Sequence, residues 1–264
     1  MSGSTSPGAA DGAWDRLRRR LRPPVTCLYP IGPHSPACPG TCEVCRGPVR
    51  PGFARCYRCA GHDLLGPGRL ADAVVPVSYA IKGTPFAADL WRYKSWWAPS
   101  AAARTSLLAL LLAFLHDHGA CVWRQAGMPA PGRLAVVPTG CGRPGPHPLL
   151  ELAGPYLRLP VTRLAIRPGE QGRDPNMNRF TAERIRPGAN VLLLDDTWVS
   201  GASAQSAAAA LKRSGARRVA VVVLGRHVDP ADPRSAALLR ALGSAPPLAG
   251  ACGLPGCAGP AASR

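Results

Sequence analysis

Lysine and acidic residues are scarce in this chain. Its 264 residues include 32 basic ones, of which only Lys82, Lys94 and Lys212 are lysines and the others are arginines. With 15 acidic residues, the formal net charge is +17. Such an excess points to an anionic partner such as nucleic acid, a membrane surface or a phosphorylated substrate, or else it reflects a compositional habit of the source.

The chain also lacks two kinds of apolar segment. No run of about seven or more apolar residues follows the arginines of residues 1–26, so we expect no secretory signal. The apolar run 107–115 is about half of the roughly 18 residues that a membrane span needs, and we expect a buried helix there. We therefore expect a cytoplasmic protein without membrane insertion. In a reducing compartment, the ten cysteines point to metal binding before disulfides.

Composition divides the chain into four parts. Residues 1–26 are rich in Ser, Gly, Ala, Pro and Arg and are expected to form a flexible tail. Residues 27–69, which hold six of the ten cysteines, are the predicted zinc ribbon. Residues 70–230 carry alternating apolar segments and form the main domain. Residues 231–264 are expected to form a helix and a flexible tail.

Two continuous apolar segments, 190–195 and 218–224, predict strands that are buried on both faces. An Ala-rich helix is predicted between them over 204–214, after a turn over 196–203. This order indicates an α/β fold with a parallel sheet covered on both sides. Further predicted elements are a helix over 101–118, strands over 134–138 and 161–166, a mobile arginine-rich loop over 167–186, and a helix near 234–242.

Four cysteines have the spacing of a metal site. Cys42 and Cys45 form one CxxC pair, and Cys56 and Cys59 form a second pair ten residues later. Two such turns suit one tetrahedral ion, and zinc is the natural occupant of four thiolates. The closed shell predicts a structural zinc; the alternative is a knot of unmetallated thiols. Of the other cysteines, we expect Cys121 and Cys141 to be buried as small apolar residues, and we assign no role to Cys27, Cys38, Cys252 and Cys257.

A second motif begins at the end of the predicted strand 191–194. Asp195 and Asp196 come at its carboxyl end, where open α/β sheets bind ligands. The next turn, 199–203, has two serines around a glycine and leads into a helix, whose N–H groups can converge on a phosphate. Acids beside an anion cradle suit a ribose 5-phosphate. The ordinary alternative is a strand end followed by a helix cap.

The segment 191–203 resembles the phosphoribosyl diphosphate (PRPP) signature of the type I phosphoribosyltransferases. Together with the ribbon, it makes the chain similar to the ComF-like (competence protein F) family, over roughly residues 40–228. The segments 79–94, 136–139 and 178–180 also look like parts of that family. The resemblance implies a type I phosphoribosyltransferase fold, with its parallel sheet, and a small N-terminal zinc ribbon.

The resemblance further implies a PRPP or nucleotide site. Asp195 and Asp196 would hold the ribose hydroxyls, directly or through Mg²⁺, and arginines of 167–186 would close over the site. The implied reaction moves the phosphoribosyl group to a nitrogen nucleophile and releases Mg-diphosphate. The residues expected to contact PRPP are Asp195, Asp196, Thr197, Val199, Ser200, Gly201, Ala202, Ser203, Thr139 and Gly140.

Several residues depart from the family pattern. Thr197 and Trp198 stand where aliphatic residues are usual, and the stretch 142–148 replaces an Arg-Gly-Phe-Asn-Gln segment. Val199 disfavours oxopurine salvage, because purine-salvage members carry an aspartate at that position. His147, within the altered stretch, is expected to be solvated. The enzyme could therefore be degenerate, and the nucleophile is not identified.

The alternative function is that of a non-catalytic ComF-like accessory protein. Such a protein would assist DNA uptake, and its ribbon and basic tail would bind single-stranded DNA or the uptake machinery. The tryptophans at 91, 96 and 97 would then form a stacking surface. Because large aromatic side chains are mostly well buried, we expect them to pack inside the protein instead.

Overall fold

A parallel sheet lies at the centre of the structure. In the computed structural model, which describes residues 40–95, 97–139, 145–170, 172, 174–243, 254 and 257, four parallel strands pair side by side. The strands of the described residues are β1 (Ala73–Ile81), β2 (Arg133–Val136), β3 (Leu164–Ile166), β4 (Phe180–Ala182), β5 (Ala189–Trp198) and β6 (Ala216–Val228). The order in the large sheet is β1-β6-β5-β2, while β3 and β4 form an antiparallel pair. The predicted α/β class with a parallel sheet is confirmed.

Helices cover both faces of this sheet. Those of the described residues are α1 (Tyr57–Gly61), α2 (Pro85–Arg92), α3 (Ala101–Gln125), α4 (Pro148–Leu157), α5 (Ala202–Arg213) and α6 (Ala236–Gly243). Successive residues of β5 point to opposite faces. Leu192 and Leu194 pack in the layer that contains α2, α3 and α4. Val191 and Leu193 pack in the layer that contains α5 and three of the ribbon cysteines.

Helix α3 contains the apolar run 107–115, so the predicted buried helix is confirmed. It begins after Ser100, whose hydroxyl accepts a hydrogen bond from the Ala103 N–H at 3.2 Å. By length and composition α3 is apolar enough to cross a membrane, but half of its most apolar stretch is buried inside the protein. The core helix of a folded domain can have the same length, hydropathy and degree of burial as α3.

Helices α2 and α4 are absent from the sequence-based prediction. Each begins with a capping residue followed by proline, Thr84-Pro85 in α2 and His147-Pro148 in α4. The Nδ1 atom of His147 accepts a hydrogen bond from the Leu149 N–H at 3.1 Å. His147 is thus partly buried, and its side chain caps a helix, a role that was not predicted from the sequence.

The arginine-rich segment 167–186 is not the mobile loop that its composition predicted. It contains β4, and Phe180 at the start of that strand is fully buried in the layer of α5. The Asn176 N–H donates to the Ser206 hydroxyl at 2.9 Å, and the Arg213 guanidinium donates to the Phe180 carbonyl at 3.2 Å. Both contacts hold the segment against α5.

The turn predicted over 196–203 is shorter than expected. Pairing between β5 and β6 continues as far as Trp198 opposite Arg226, and α5 begins at Ala202. The acid pair therefore lies within β5. Only residues 199–201 connect the strand to the helix, and we call them the β5–α5 loop.

An ion-pair network holds the start of β1 in place. The Asp72 carboxylate lies 2.7 Å from the Arg218 guanidinium and 3.0 Å from Lys212 Nζ, and its side chain is 10% exposed. It also accepts a hydrogen bond from the Val219 N–H at 2.8 Å. This carboxylate thus joins β1, the end of α5 and β6.

We predict that Asp72→Ala lowers the free energy of unfolding by about 3 kcal/mol, because it leaves two cations without their carboxylate. Urea denaturation measures this. The matched control is Asp174→Ala, since Asp174 is 87% exposed and lies 3.6 Å from Arg58; it should change stability by less than about 0.5 kcal/mol. Equal losses in the two variants would contradict the role given to Asp72.

Candidate functional site

The residues predicted to contact PRPP fall at one edge of the sheet. The carboxyl ends of parallel strands meet at a single edge, where α/β proteins bind ligands. Asp195 and Asp196 lie near the end of β5, and Thr139 follows β2 by three residues. The structure thus gathers Thr139 with the acid pair and residues 197–203 at the same edge. Gly140 lies outside the described residues.

Asp196 is held by two residues that follow α2. Its Oδ2 accepts a hydrogen bond from the Tyr93 hydroxyl at 2.6 Å and lies 2.9 Å from Lys94 Nζ. Burial opposes ionisation of Asp196, but Lys94 and Tyr93 outweigh it, and the pKa of Asp196 lies below its ordinary value. Asp196 is therefore an ionised carboxylate whose charge is balanced by Lys94.

Asp195 has the opposite electrostatic character. Burial, together with the adjacent Asp196 carboxylate, raises the pKa of Asp195 to about 7. Its side chain is only partly buried. The two carboxyl groups of the pair therefore differ, because the pKa of Asp196 is lowered and the pKa of Asp195 is raised.

This arrangement does not suit direct coordination of Mg²⁺. A magnesium site draws on the negative charge of its carboxylates. Here the Lys94 ammonium lies 2.9 Å from Asp196 Oδ2, where it balances that charge and would repel a second cation. Ribose hydroxyls, which donate hydrogen bonds and carry no charge, fit the two carboxyl groups better.

The β5–α5 loop has the backbone shape of an anion cradle. Gly201 is the N-cap of α5 and has φ +81°, in the left-handed region that favours glycine. Gly201 has no side chain with which to cap α5, the Ser200 hydroxyl accepts a hydrogen bond from the Ala202 N–H at 3.3 Å, and the first turn contains no acidic residue. The N–H groups of that turn point out of the helix end, towards the loop.

Trp198, the most conspicuous departure from the family pattern, points away from the ligand edge. It is fully buried, and its ring packs edge-to-face on His62 with 5.9 Å between the ring centroids. A Cβ atom at Gly201 would lie 2.0 Å from this ring. The tryptophan therefore fills the space beneath the loop and does not occupy the cradle.

Arg226 connects the same tryptophan to the ribbon. Its guanidinium donates to the Trp198 carbonyl at 3.1 Å, and it is buried next to Cys45. Burial opposes its charge, but Cys45 outweighs this, and the pKa of Arg226 lies above its ordinary value. A Cβ atom at Gly47 would lie 2.1 Å from the guanidinium, so any larger residue at that position would have to displace the Arg226 side chain.

The four ribbon cysteines form the predicted cluster. The sulfur atoms of Cys42, Cys45, Cys56 and Cys59 lie within 4.8 Å of one another, and Cys45 Sγ is 3.9 Å from Cys56 Sγ. A tetrahedral zinc with bonds of about 2.3 Å has edges of about 3.8 Å. Hydrogen bonding among the four thiols lowers the pKa of Cys42, Cys45 and Cys56 to about 6 and raises the pKa of Cys59. This four-cysteine cluster could hold a metal such as zinc.

Sequence reasoning missed two residues of this region, His62 and Arg226. Arg226 had a detectable signal, because it is a charged residue near the end of an apolar strand, where ligand edges occur. His62 had only its position three residues after the last ribbon cysteine. Tyr93 and Lys94 lie in the segment 79–94, which resembles part of the ComF-like family, but this resemblance did not predict their contacts with Asp196.

We predict that Asp195→Asn stabilises the protein above neutral pH. Because the folded-state pKa of Asp195 is raised, its ionisation costs more in the folded than in the unfolded chain, and stability is lost between about pH 4 and pH 7. Asparagine cannot ionise. The variant should therefore be more stable than wild type by about 1–3 kcal/mol at about pH 8 and equal to it near pH 4.

Urea denaturation at the two pH values measures this difference. The control is Asp63→Asn, because a hydrogen bond from Arg55 lowers the pKa of Asp63 and removing it should give no gain at high pH. A pH-independent effect of Asp195→Asn would show that Asp195 is ionised like an ordinary carboxylate.

No protein-family model matches this chain, and no curated protein matches it. The resemblance to ComF-like proteins therefore depends on motifs in the sequence of the chain, namely the two CxxC pairs and the segment 191–203. What the structure shows is an α/β fold with a four-stranded parallel sheet and a four-cysteine cluster near its N-terminal side.

Proposed function

We propose that the chain binds a ribose 5-phosphate ligand, PRPP or a nucleotide, at the end of β5. We further propose that it belongs with the ComF-like phosphoribosyltransferases. One observation carries the proposal: a carboxylate pair at the end of a buried parallel strand is followed within six residues by a positive-φ glycine at a helix N-terminus. This order offers hydroxyl acceptors and phosphate donors on one short piece of backbone.

The 5-phosphate would bind at the β5–α5 loop. Helix α5 is 12 residues long, so its N-terminal N–H groups carry the full dipole charge of a helix end. The Ser200 hydroxyl accepts a hydrogen bond from the Ala202 N–H at 3.3 Å and keeps its own proton for donation to a phosphate oxygen. Ser203, in the first turn, supplies the second hydroxyl.

The ribose hydroxyls would bind at the end of β5, where Asp195 and Asp196 point to opposite faces of the strand. Tyr93 and Lys94 fix the Asp196 carboxylate in one orientation, while Asp195 is more accessible. A carboxylate oxygen accepts more than one hydrogen bond, so Asp196 keeps acceptor capacity for a ribose hydroxyl. Fixed acceptors of this kind orient the sugar, and orientation of the anomeric carbon is a large part of what such an enzyme supplies.

The leaving diphosphate needs cations, and in the described part of 167–186 Arg179 is the arginine with buried, unsatisfied guanidinium donors. Its Nε and Nη1 atoms are buried without a hydrogen-bond partner among the described residues, and burial lowers its pKa. A buried guanidinium without partners is stabilised when an anion accepts its hydrogen bonds.

In the proposed reaction the bond between the anomeric carbon and the diphosphate breaks, and the diphosphate leaves with the electron pair. The nitrogen nucleophile forms the new bond to the anomeric carbon and releases its proton to solvent.

A cavity next to Val199 is the proposed place of the nitrogen nucleophile. It has a volume of about 310 Å³ and lies between the ribbon and the end of β6. Tyr57 and Arg58 line it from the ribbon, and His227 and Asp229 line it from the strand. This mixture of ring, cation and carboxylate suits a polar, ring-shaped acceptor better than a purely apolar one.

We predict that calorimetry detects binding of PRPP in the presence of Mg²⁺, and that the double variant Asp195→Asn, Asp196→Asn weakens it at least tenfold. In this variant each site keeps one acceptor oxygen but loses its charge and gains an NH₂ donor that opposes a ribose hydroxyl proton, while the phosphate cradle is kept. The control is Glu151→Gln on the surface of α4, which should bind like wild type. Absence of binding to the wild-type chain, or an equal loss in the control, would contradict the proposal.

A second candidate function has one observation of its own. Trp91 is 60% exposed and Trp97 67% exposed, so the expectation that these two tryptophans pack inside is wrong; Trp96 lies outside the described residues. Their rings stand edge-to-face with 6.1 Å between centroids, and exposed Arg92 lies next to Trp91. Exposed aromatic rings beside a cation are the elements with which proteins stack single-stranded bases.

If this surface binds single-stranded DNA, Trp91→Ala with Trp97→Ala should weaken binding of an oligo-thymidine at least tenfold, because each lost stacking contact costs about 1–3 kcal/mol. Fluorescence anisotropy at moderate salt measures the affinity. Tyr156→Ala, which removes another exposed aromatic ring, is the control and should have no effect. Equal losses in both, or no binding by the wild type, would remove this second candidate.

A further inference from the structure

A second group of metal-ligating side chains lies on the opposite face of the sheet from the ribbon. It consists of His118 and Cys121 on α3, together with Cys257 from the C-terminal part of the chain. Their ligand atoms lie within 4.8 Å of one another. The expectation that Cys121 is merely a small buried residue is incomplete, because the structure brings it to a histidine and a second cysteine.

The helix and the C-terminal residues place these three side chains by ordinary means. His118 and Cys121 are three residues apart in α3 and therefore share one face of the helix. Leu254 is buried in the layer that contains α3, and the Cys257 N–H donates to the Leu254 carbonyl at 3.1 Å. The buried leucine and this turn bring Cys257 to α3 from 139 positions away from His118.

The distances fit a tetrahedral metal ion. Cys257 Sγ lies 3.5 Å from His118 Nδ1. In a tetrahedral zinc site, with Zn–S of about 2.3 Å and Zn–N of about 2.1 Å, sulfur and nitrogen ligands are about 3.6 Å apart. His118 is buried and the two cysteines are partly buried, so the ligands are shielded without being sealed off.

We propose that His118, Cys121 and Cys257 bind a second metal ion of the zinc class, separate from the ribbon cluster. Two thiolates and an imidazole are a borderline-soft ligand set that suits zinc and not magnesium or calcium. The ion would tie the C-terminal residues to the middle of α3, and the three protein ligands leave its fourth position to water or a further ligand. Among the described residues after 243, Leu254 and Cys257 are the ones that contact the layer of α3, and the ion would strengthen this contact.

The test is the metal content of the purified full-length chain, measured by elemental mass spectrometry after dialysis without chelator. Wild type should contain one more zinc per chain than Cys257→Ser or His118→Ala. The difference does not depend on whether the ribbon itself is loaded. The control is His116→Ala, which removes a partly exposed histidine of the same helix that pairs with Asp117, and it should keep the wild-type metal content.

A second readout uses cobalt in place of zinc. The chain loaded with Co²⁺ should lose a defined part of its thiolate-to-cobalt absorption in Cys257→Ser, because thiolate ligands produce that absorption. Thermal unfolding checks that the variants are folded. Wild type and Cys257→Ser with the same zinc content and the same cobalt spectrum would overturn the proposal, as would a Cys121–Cys257 disulfide in wild-type protein purified under reducing conditions.

Discussion

The contact between the Trp198 ring and Gly201 is the constraint on which the ligand edge depends. A side chain at Gly201 would collide with the Trp198 ring. His62 packs against this ring, and Arg226 donates a hydrogen bond to the backbone carbonyl of Trp198. Arg226 in turn lies next to Cys45. The four-cysteine cluster, the end of β5, the β5–α5 loop and β6 therefore form one packed unit, in which the residues around the cluster lie beneath the loop that is proposed to bind the phosphate.

The scarcity of lysine has a structural counterpart. Lys82 lies 3.3 Å from Asp229, Lys94 lies 2.9 Å from Asp196, and Lys212 lies 3.0 Å from Asp72, so each lysine is paired with an aspartate. The pair at Asp196 is the one that shapes the proposed function. It balances one of the two adjacent negative charges, and this balance is the reason why the proposed ligand groups are neutral hydroxyls and not a cation. The arginines carry the remaining excess of positive charge.

The sequence predicted what local pattern controls. The central strands could be predicted because their residues, such as those around Leu192 and Val221, are apolar on both faces of the sheet. The four-cysteine cluster could be predicted because the CxxC spacing in the sequence places each pair of sulfur atoms close together. Contacts between distant parts of the chain could not be. Helices α2 and α4 are short and depend on their caps, Phe180 is buried only because α5 lies beside it, and Cys257 meets His118 only in three dimensions.

The most direct test of this account is hydrogen exchange at the backbone amides of residues 200–205, compared between wild type and the variant Cys42→Ser, Cys45→Ser. If the residues around the cluster support the β5–α5 loop, loss of the four-cysteine cluster loosens Trp198 and the loop, and these amides exchange at least tenfold faster while those of β2 keep their wild-type protection. Unchanged exchange at residues 200–205, with fast exchange confined to the ribbon, would contradict the account.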